Sequence, residues 1–372
     1  MRTELSMLST REATQKDKNN DPPRINKESF CVKPNMIRYL KENCPIFDEQ
    51  FELLNFLKKG STGYVYEGRS KNSNSSQKYA FKFCIETRKK EGEEKEEEKG
   101  KEKNAKKEKE KENKYKEISL NKKLHHKNII QILAFIKMKE GSFFSVLENG
   151  KHRDLDFFVT HLLKRRILSE TCILYFAKQI LDGIYYLFRR KIIHMDIKQG
   201  NIIIDSELNP KLIDFSASCS FSEFQYNDLV KFPCVGTRRY ISPEIEKKTH
   251  MLIKDGEKID IYSFGVTLYN LAFGVYPYSN SKKDGGVDEQ EEKLEFPSGV
   301  KISNMFKDFL TKTLQRDYKK RIGIKEAMNH PWIQGWKILE EEKINISCLE
   351  NFLIRMVTDS IPKFNDYIKK NS

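Results

Sequence analysis

The sequence predicts an α+β fold in two lobes, a small mostly β N-terminal lobe with one key helix and a larger mostly α C-terminal lobe. Three observations carry this. The run His194-Met195-Asp196-Ile197-Lys198-Gln199-Gly200-Asn201 leads through a short apolar hairpin pattern to Asp214-Phe215-Ser216. Upstream, a glycine turn at Gly60 and Gly63 separates two strand-like segments, and an alternating strand with Lys82 at its centre follows. Downstream, Gly236 to Glu244, Asp260 to Val266, Arg321 and His330-Pro331-Trp332 continue in order.

The central run sets a carboxylate, an ammonium and an amide within eight residues, with a second carboxylate beyond the hairpin. Phosphoryl transfer needs that inventory: a group to orient a hydroxyl, a cation for the phosphate, and oxygen ligands for magnesium. The stretch resembles the catalytic and magnesium loops of the eukaryotic protein kinase family. The likeness covers roughly residues 47–335, and the two-lobed kinase fold is what it implies.

Taken in order, Leu57 to Tyr66 reads as strand, tight turn and strand. Glycine at 60 and 63 leaves room for backbone N–H groups to approach phosphate oxygens, which is similar to the family's phosphate loop. The strand Tyr79-Ala80-Phe81-Lys82-Phe83-Cys84 resembles the one bearing the phosphate-binding lysine. Glu117, opening a helical pattern through Leu124, stands where the family places that lysine's partner. Phe143 to Gly150 reads as a buried strand running into a hinge, with Leu147 at the back of the adenine pocket. The resemblance thus implies an ATP site of Gly60, Gly63, Val65, Ala80, Lys82, Glu117, Leu147, Glu148, Gly150 and Asp154, the last toward the ribose.

The same resemblance assigns Asp196 to the substrate hydroxyl and Lys198 to the transferring phosphate, where charge spreads in the transition state. Asn201 is catalytic as well and, with Asp214, a magnesium ligand. Ser216, Thr237, Glu244 and Arg321 belong to the activation segment and its support, with Arg321 paired to Glu244. Lys198 with Gly236-Thr237 is the serine/threonine pattern, and the helix patterning with the Gly236 to Glu244 segment looks most like the calcium/calmodulin-dependent and related groups. The implied activity is an ATP- and Mg-dependent serine/threonine protein kinase acting on proteins.

Four positions depart from the family pattern: Lys58 for the first loop glycine, Asn121 for an apolar residue after Glu117, Met195 for arginine, and Ser216 for glycine. The rival reading is a pseudokinase scaffold that binds partners or nucleotide without catalysis. Against it, Lys82, Glu117, Asp196, Lys198, Asn201 and Asp214 are all present. Met195 and Pro233 together remove both the arginine and the phospho-acceptor that order many activation loops. That pairing predicts ordering without phosphorylation, and little change in basal activity for Met195→Arg.

The 372 residues suffice for one such domain with extensions. Residues 1–46 read as a disordered or extended arm, 47–149 as the small lobe, 150–335 as the large lobe, and 336–372 as a helical tail. The Lys- and Glu-rich stretch 88–116 reads as an insert, either solvated and disordered or a helix held by charge pairs. Ser279 to Gln290 reads as an exposed link. The net charge of +14 comes with no nucleic-acid motif, so it reads as a solvated basic surface. No signal peptide is evident, no window is apolar enough for a membrane span, and seven cysteines lack CxxC spacing. The expectation is a reducing, cytoplasmic location with the nucleus left open. Oligomeric state and substrate identity stay open at this level.

Overall fold

The computed structural model describes residues 34–59, 63–72, 77–85, 122–138, 142–150, 154–162, 168–278 and 294–344, together with 366 and 370. Gly60, Glu117, Asn121, the 88–116 insert, the 279–290 link and most of the tail lie outside the described residues. The chain divides into two compact units, Met1–His125 with Ile130–Gly150, and His126–Ile129 with Lys151–Ser372.

The smaller unit is built on a five-stranded antiparallel sheet, in the order β1-β2-β3-β5-β4. Its strands are β1 (Phe51–Lys59), β2 (Tyr64–Ser70), β3 (Lys78–Cys84), β4 (Ile132–Lys137) and β5 (Phe143–Glu148). Register decides which side chains share a face. Val65 pairs with Lys82 and Lys82 with Ser145, while Glu67 pairs with Ala80 and Ala80 with Leu147. Tyr66, Phe81 and Val146 alternate with these, so period two turns them to the opposite face.

That second face is closed by two helices, α1 (Pro34–Asn43) and α2 (Pro45–Gln50). Met36, Tyr39 and Leu40 of α1 fall at i, i+3, i+4 and are buried with Phe47 of α2 against Phe51, Tyr66, Phe81, Phe83 and Phe144. Phe47 meets Phe81, Phe83 and Phe144 edge to face, with ring centroids 5.2 to 5.4 Å apart. The expected disordered or extended arm over 1–46 is therefore corrected from Pro34 onward. An apolar helical stripe covers a sheet face that would otherwise expose a row of aromatic rings.

A second correction concerns residues 126–129, read from the sequence as part of the small lobe. They fold with the larger unit. Asn128, fully buried, donates from Nδ2 to the Pro210 carbonyl at 2.8 Å and to Gln179 Oε1 at 3.3 Å. Its own carbonyl accepts from Leu212 N–H at 2.9 Å. Gly150, placed at the head of the large lobe, instead closes the smaller unit.

The larger unit is mostly helical. A short helix α3 (Leu155–Phe157) is followed by α4 (Glu170–Arg189), capped by Ser169, which accepts from Cys172 N–H at 3.2 Å. Next come the strand β6 (Ile192–Ile193) and the hairpin β7 (Ile202–Ile204) with β8 (Pro210–Leu212). Strand β9 (Cys219–Ser220) pairs with β6, and β10 (Leu229–Lys231) with β11 (His250–Leu252). Helix α5 (Pro243–Glu246) precedes α6 (Glu257–Phe273), most of whose side chains are buried on every side, as befits a central helix. Helices α7 (Asn304–Thr313), α8 (Ile324–Asn329), α9 (Pro331–Gln334) and α10 (Trp336–Ile344) complete the unit. Trp332 stacks on Phe306 at 4.2 Å between centroids, and its indole N–H donates to Glu170 at 2.9 Å. Among the described residues no helix is long and apolar enough to cross a membrane.

Candidate active site

The loop 194–201 is pinned from beneath by α6. Asp260, buried near the start of that helix, accepts from His194 N–H at 2.7 Å and from Met195 N–H at 2.8 Å, one bond on each oxygen. Burial pushes the Asp260 carboxyl up, although His194 and the two main-chain bonds pull the other way. The His194 ring lies 3.0 Å from the Ile213 carbonyl through Nε2, which ties the loop to the segment after β8. Met195 holds φ 64°, a left-handed conformation that a non-glycine residue keeps only where its surroundings impose it.

Asp196 is the focus. Its Oδ1 accepts from Thr237 N–H at 2.9 Å and from the Thr237 hydroxyl at 2.8 Å. Its Oδ2 accepts from Lys198 Nζ at 2.7 Å and from Asn201 Nδ2 at 2.8 Å. A carboxylate has about four lone-pair sites, so the set is full. Lys198 also donates to the Thr237 hydroxyl oxygen. Gly236 makes this closeness feasible: it sits at φ 104°, and a Cβ there would fall 2.5 Å from the Met195 carbonyl oxygen.

Asn201 and Asp214 leave the same end of the β7–β8 hairpin. Ile202 pairs with Leu212, and Ile213 N–H donates to the Asn201 carbonyl at 3.0 Å. Because Asn201 spends its Nδ2 on Asp196, its Oδ1 is turned to the other side of the amide. An amide oxygen and a carboxylate are hard ligands, few in number, which suits Mg²⁺ with phosphate or water filling the remaining positions. Among the described residues no cluster of three or more His, Cys, Asp or Glu side chains is placed to hold a metal.

Two departures are absorbed by this geometry. The left-handed residue of the 214–216 turn is Asp214, at φ 64°, whereas Ser216 has no positive φ, so serine carries no backbone strain there. Met195 is 4% exposed and packs with Ile193, Phe221, Phe232, Ile245 and Met251. Here the structure revises the Met195→Arg expectation. An arginine would enter an apolar cluster instead of an open pocket.

Glu244 and Arg321 come together as read from the sequence, through two parallel bonds of 2.7 and 2.9 Å in a buried pair. Arg321 also donates to the carbonyls of Lys258 and Gln315 and lies over the Tyr262 ring at 4.8 Å. Asp154 accepts from Phe157 N–H at 2.9 Å, which makes it the N-cap of α3.

In the smaller unit, Val65, Ala80, Lys82 and Leu147 lie on the sheet face opposite the aromatic core. Gly63 has a role internal to the sheet, since a Cβ there would fall 2.0 Å from the Phe83 carbonyl oxygen. The Glu148 carboxylate accepts from Gln131 N–H at 2.8 Å and anchors the end of β5. Glu67, missed in the sequence, is an organiser of that end. Burial pushes its carboxyl up, but hydrogen bonds from Asn55, Asn149 and Lys78 outweigh this and bring it below its ordinary value. Asn270 was missed too: it accepts from Gln199 Nε2 at 2.7 Å, across 71 positions of sequence, with no local signal.

A family model described as the protein kinase domain matches residues 51–333. The chain is similar to calcium-dependent protein kinase 4 of Plasmodium falciparum (isolate 3D7), at 28% identity over 326 residues, 86% of this chain and 56% of that protein. It is also similar to serine/threonine-protein kinase par-4 of Caenorhabditis elegans, at 28% identity over 221 residues, 58% of this chain and 35% of that protein. The chain thus spans about half the length of the first relative and about a third of the second.

Proposed function

This chain belongs to the protein kinase family, and on that premise we propose that it is a serine/threonine kinase moving the γ-phosphate of ATP to protein hydroxyl groups with Mg²⁺. The observation that carries the reading is the convergence of Thr237, Lys198 and Asn201 on the Asp196 carboxylate. Bound Mg·ATP would supply the phosphoryl group, with its charge partly neutralised by the metal.

With its acceptor sites full, Asp196 must exchange one donor for an incoming substrate hydroxyl. The Thr237 hydroxyl is the natural one to yield, because it rotates about a single bond and its backbone N–H keeps hold of Oδ1. In the closed set it occupies the position a substrate hydroxyl would take. Asp196 then orients that hydroxyl and takes its proton, while the Lys198 ammonium stays 2.7 Å from the same carboxylate, near the charge that develops. Asn201 and Asp214 are the assigned metal ligands and Lys82 the assigned phosphate contact, on the family pattern.

The test is transfer of radiolabelled phosphate to a generic protein substrate by the wild type, Asp196→Asn and Asp214→Asn. Loss of more than about a hundredfold in both folded variants is expected for general-base and charge-stabilising roles. Equal transfer by wild type and Asp196→Asn would sink the assignment.

A further inference from the structure

We propose that Arg238 and Arg239 select substrates that carry a carboxylate or phosphate group close to the acceptor hydroxyl, an inference that rests on the kinase reading above. The position follows from Thr237. Its N–H and hydroxyl are fastened to Asp196, and Gly236 lies against the Met195 carbonyl. The next two residues therefore begin one and two steps along the chain from the point of transfer. Both arginines are exposed.

Neither forms an ion pair with a carboxylate among the described residues. Arg239 is held in place by stacking, its guanidinium 4.8 Å from the centre of the Tyr276 ring. That ring in turn meets Tyr240 edge-on at 5.6 Å, with the two hydroxyls 3.4 Å apart. The arginine is thus preorganised with its N–H donors unspent among the described residues, the arrangement a guanidinium uses to take a carboxylate or phosphate bidentately.

Beyond the Lys198 ammonium, the loop after Asp196 carries the neutral Gln199, held by Asn270 of α6, and Gly200, where even a Cβ would meet nothing within 4 Å. Burial, Tyr276 and then Asp156 of α3 push the Tyr240 phenol up while Arg239 pulls it the other way, so a carboxylate and this guanidinium are both felt at this corner. The net charge of +14 adds a long-range bias of the guanidinium's sign. Since an extended peptide advances about 3.3–3.6 Å per residue, only side chains within a few positions of the acceptor can reach these guanidinium groups.

The experiment uses the full chain and fluorescent peptides with one serine acceptor, scanning aspartate, phosphoserine, alanine and lysine over three positions on either side. Binding is read by anisotropy and transfer by labelled ATP. The expected result is roughly tenfold tighter binding and lower KM for the anionic peptides at one or two positions, the size of one good charge-assisted contact. In Arg238→Ala/Arg239→Ala that preference disappears, and in the double lysine variant part of it returns. Preference confined to phosphoserine would identify already phosphorylated substrates, and equal preference for aspartate would identify acidic ones. Equal binding of all four series by the wild type, or a preference that survives the double alanine variant, overturns the proposal. Absence of transfer with the anionic binding preference intact would instead remove the enzymatic reading and leave the selection standing.

Discussion

Asp260 holds Met195 in a left-handed backbone: its Oδ1 accepts the Met195 N–H at 2.8 Å while its Oδ2 takes the neighbouring N–H of His194 at 2.7 Å. A turn that would cost about 1–3 kcal/mol in isolation is thereby kept in place, and Asp196 follows it by one residue. Asp260→Asn replaces one acceptor oxygen with an NH₂ that faces an N–H. The expected cost is about 2–4 kcal/mol of stability, with a larger loss of transfer than of ATP binding. Urea denaturation and a binding assay together check this, and a variant as stable and active as wild type would contradict it.

Met195 itself fills an apolar cluster with Phe221 and Phe232. Met195→Arg places an unpaired guanidinium there and should destabilise by more than about 2 kcal/mol, whereas Met195→Leu should cost less than about 1.5 kcal/mol. Thermal melts of the two variants decide the matter. An arginine variant that melts with the wild type would show that the side chain escapes to water.

Phe47 touches four aromatic rings of the small unit. Phe47→Ala is expected to cost about 3–5 kcal/mol, measured by equilibrium denaturation. A loss below about 1 kcal/mol would mean that α2 is not part of the cooperative core.

Glu170 supplies the pH prediction. Burial pushes its carboxyl up, and hydrogen bonds from Ser303 and Trp332 bring it only part of the way back. The fold then binds that proton more tightly than the unfolded chain does. The corresponding stability is complete below the ordinary glutamate value and is lost as pH rises through the folded value. Glu170→Gln cannot titrate, so its stability relative to wild type should climb as pH rises from below the ordinary glutamate value through the folded one. A pH-independent difference would show that burial does not raise this carboxyl.

The chemical inventory was legible because its parts are close in sequence. Asp196, Lys198 and Asn201 lie on one loop, and Thr237 and Glu244 on one segment, so their spacing carries the pattern. The alternation in Tyr79 to Cys84 likewise marked β3. Helix α1 was missed although Met36, Tyr39 and Leu40 have helical spacing, because the polar run before Pro34 masked a single short stripe.

By itself the sequence determined that Asp196, Lys198, Asn201 and Asp214 are present together and in what order they occur, since short motifs need only local spacing. Tertiary structure alone decided what holds them. Asp260 beneath Met195, Asn270 against Gln199, Asn128 folded into the larger unit and Phe47 over the sheet join residues many tens of positions apart. Such pairs leave no local periodicity, because their partners meet only once burial and backbone hydrogen bonding have brought distant segments together.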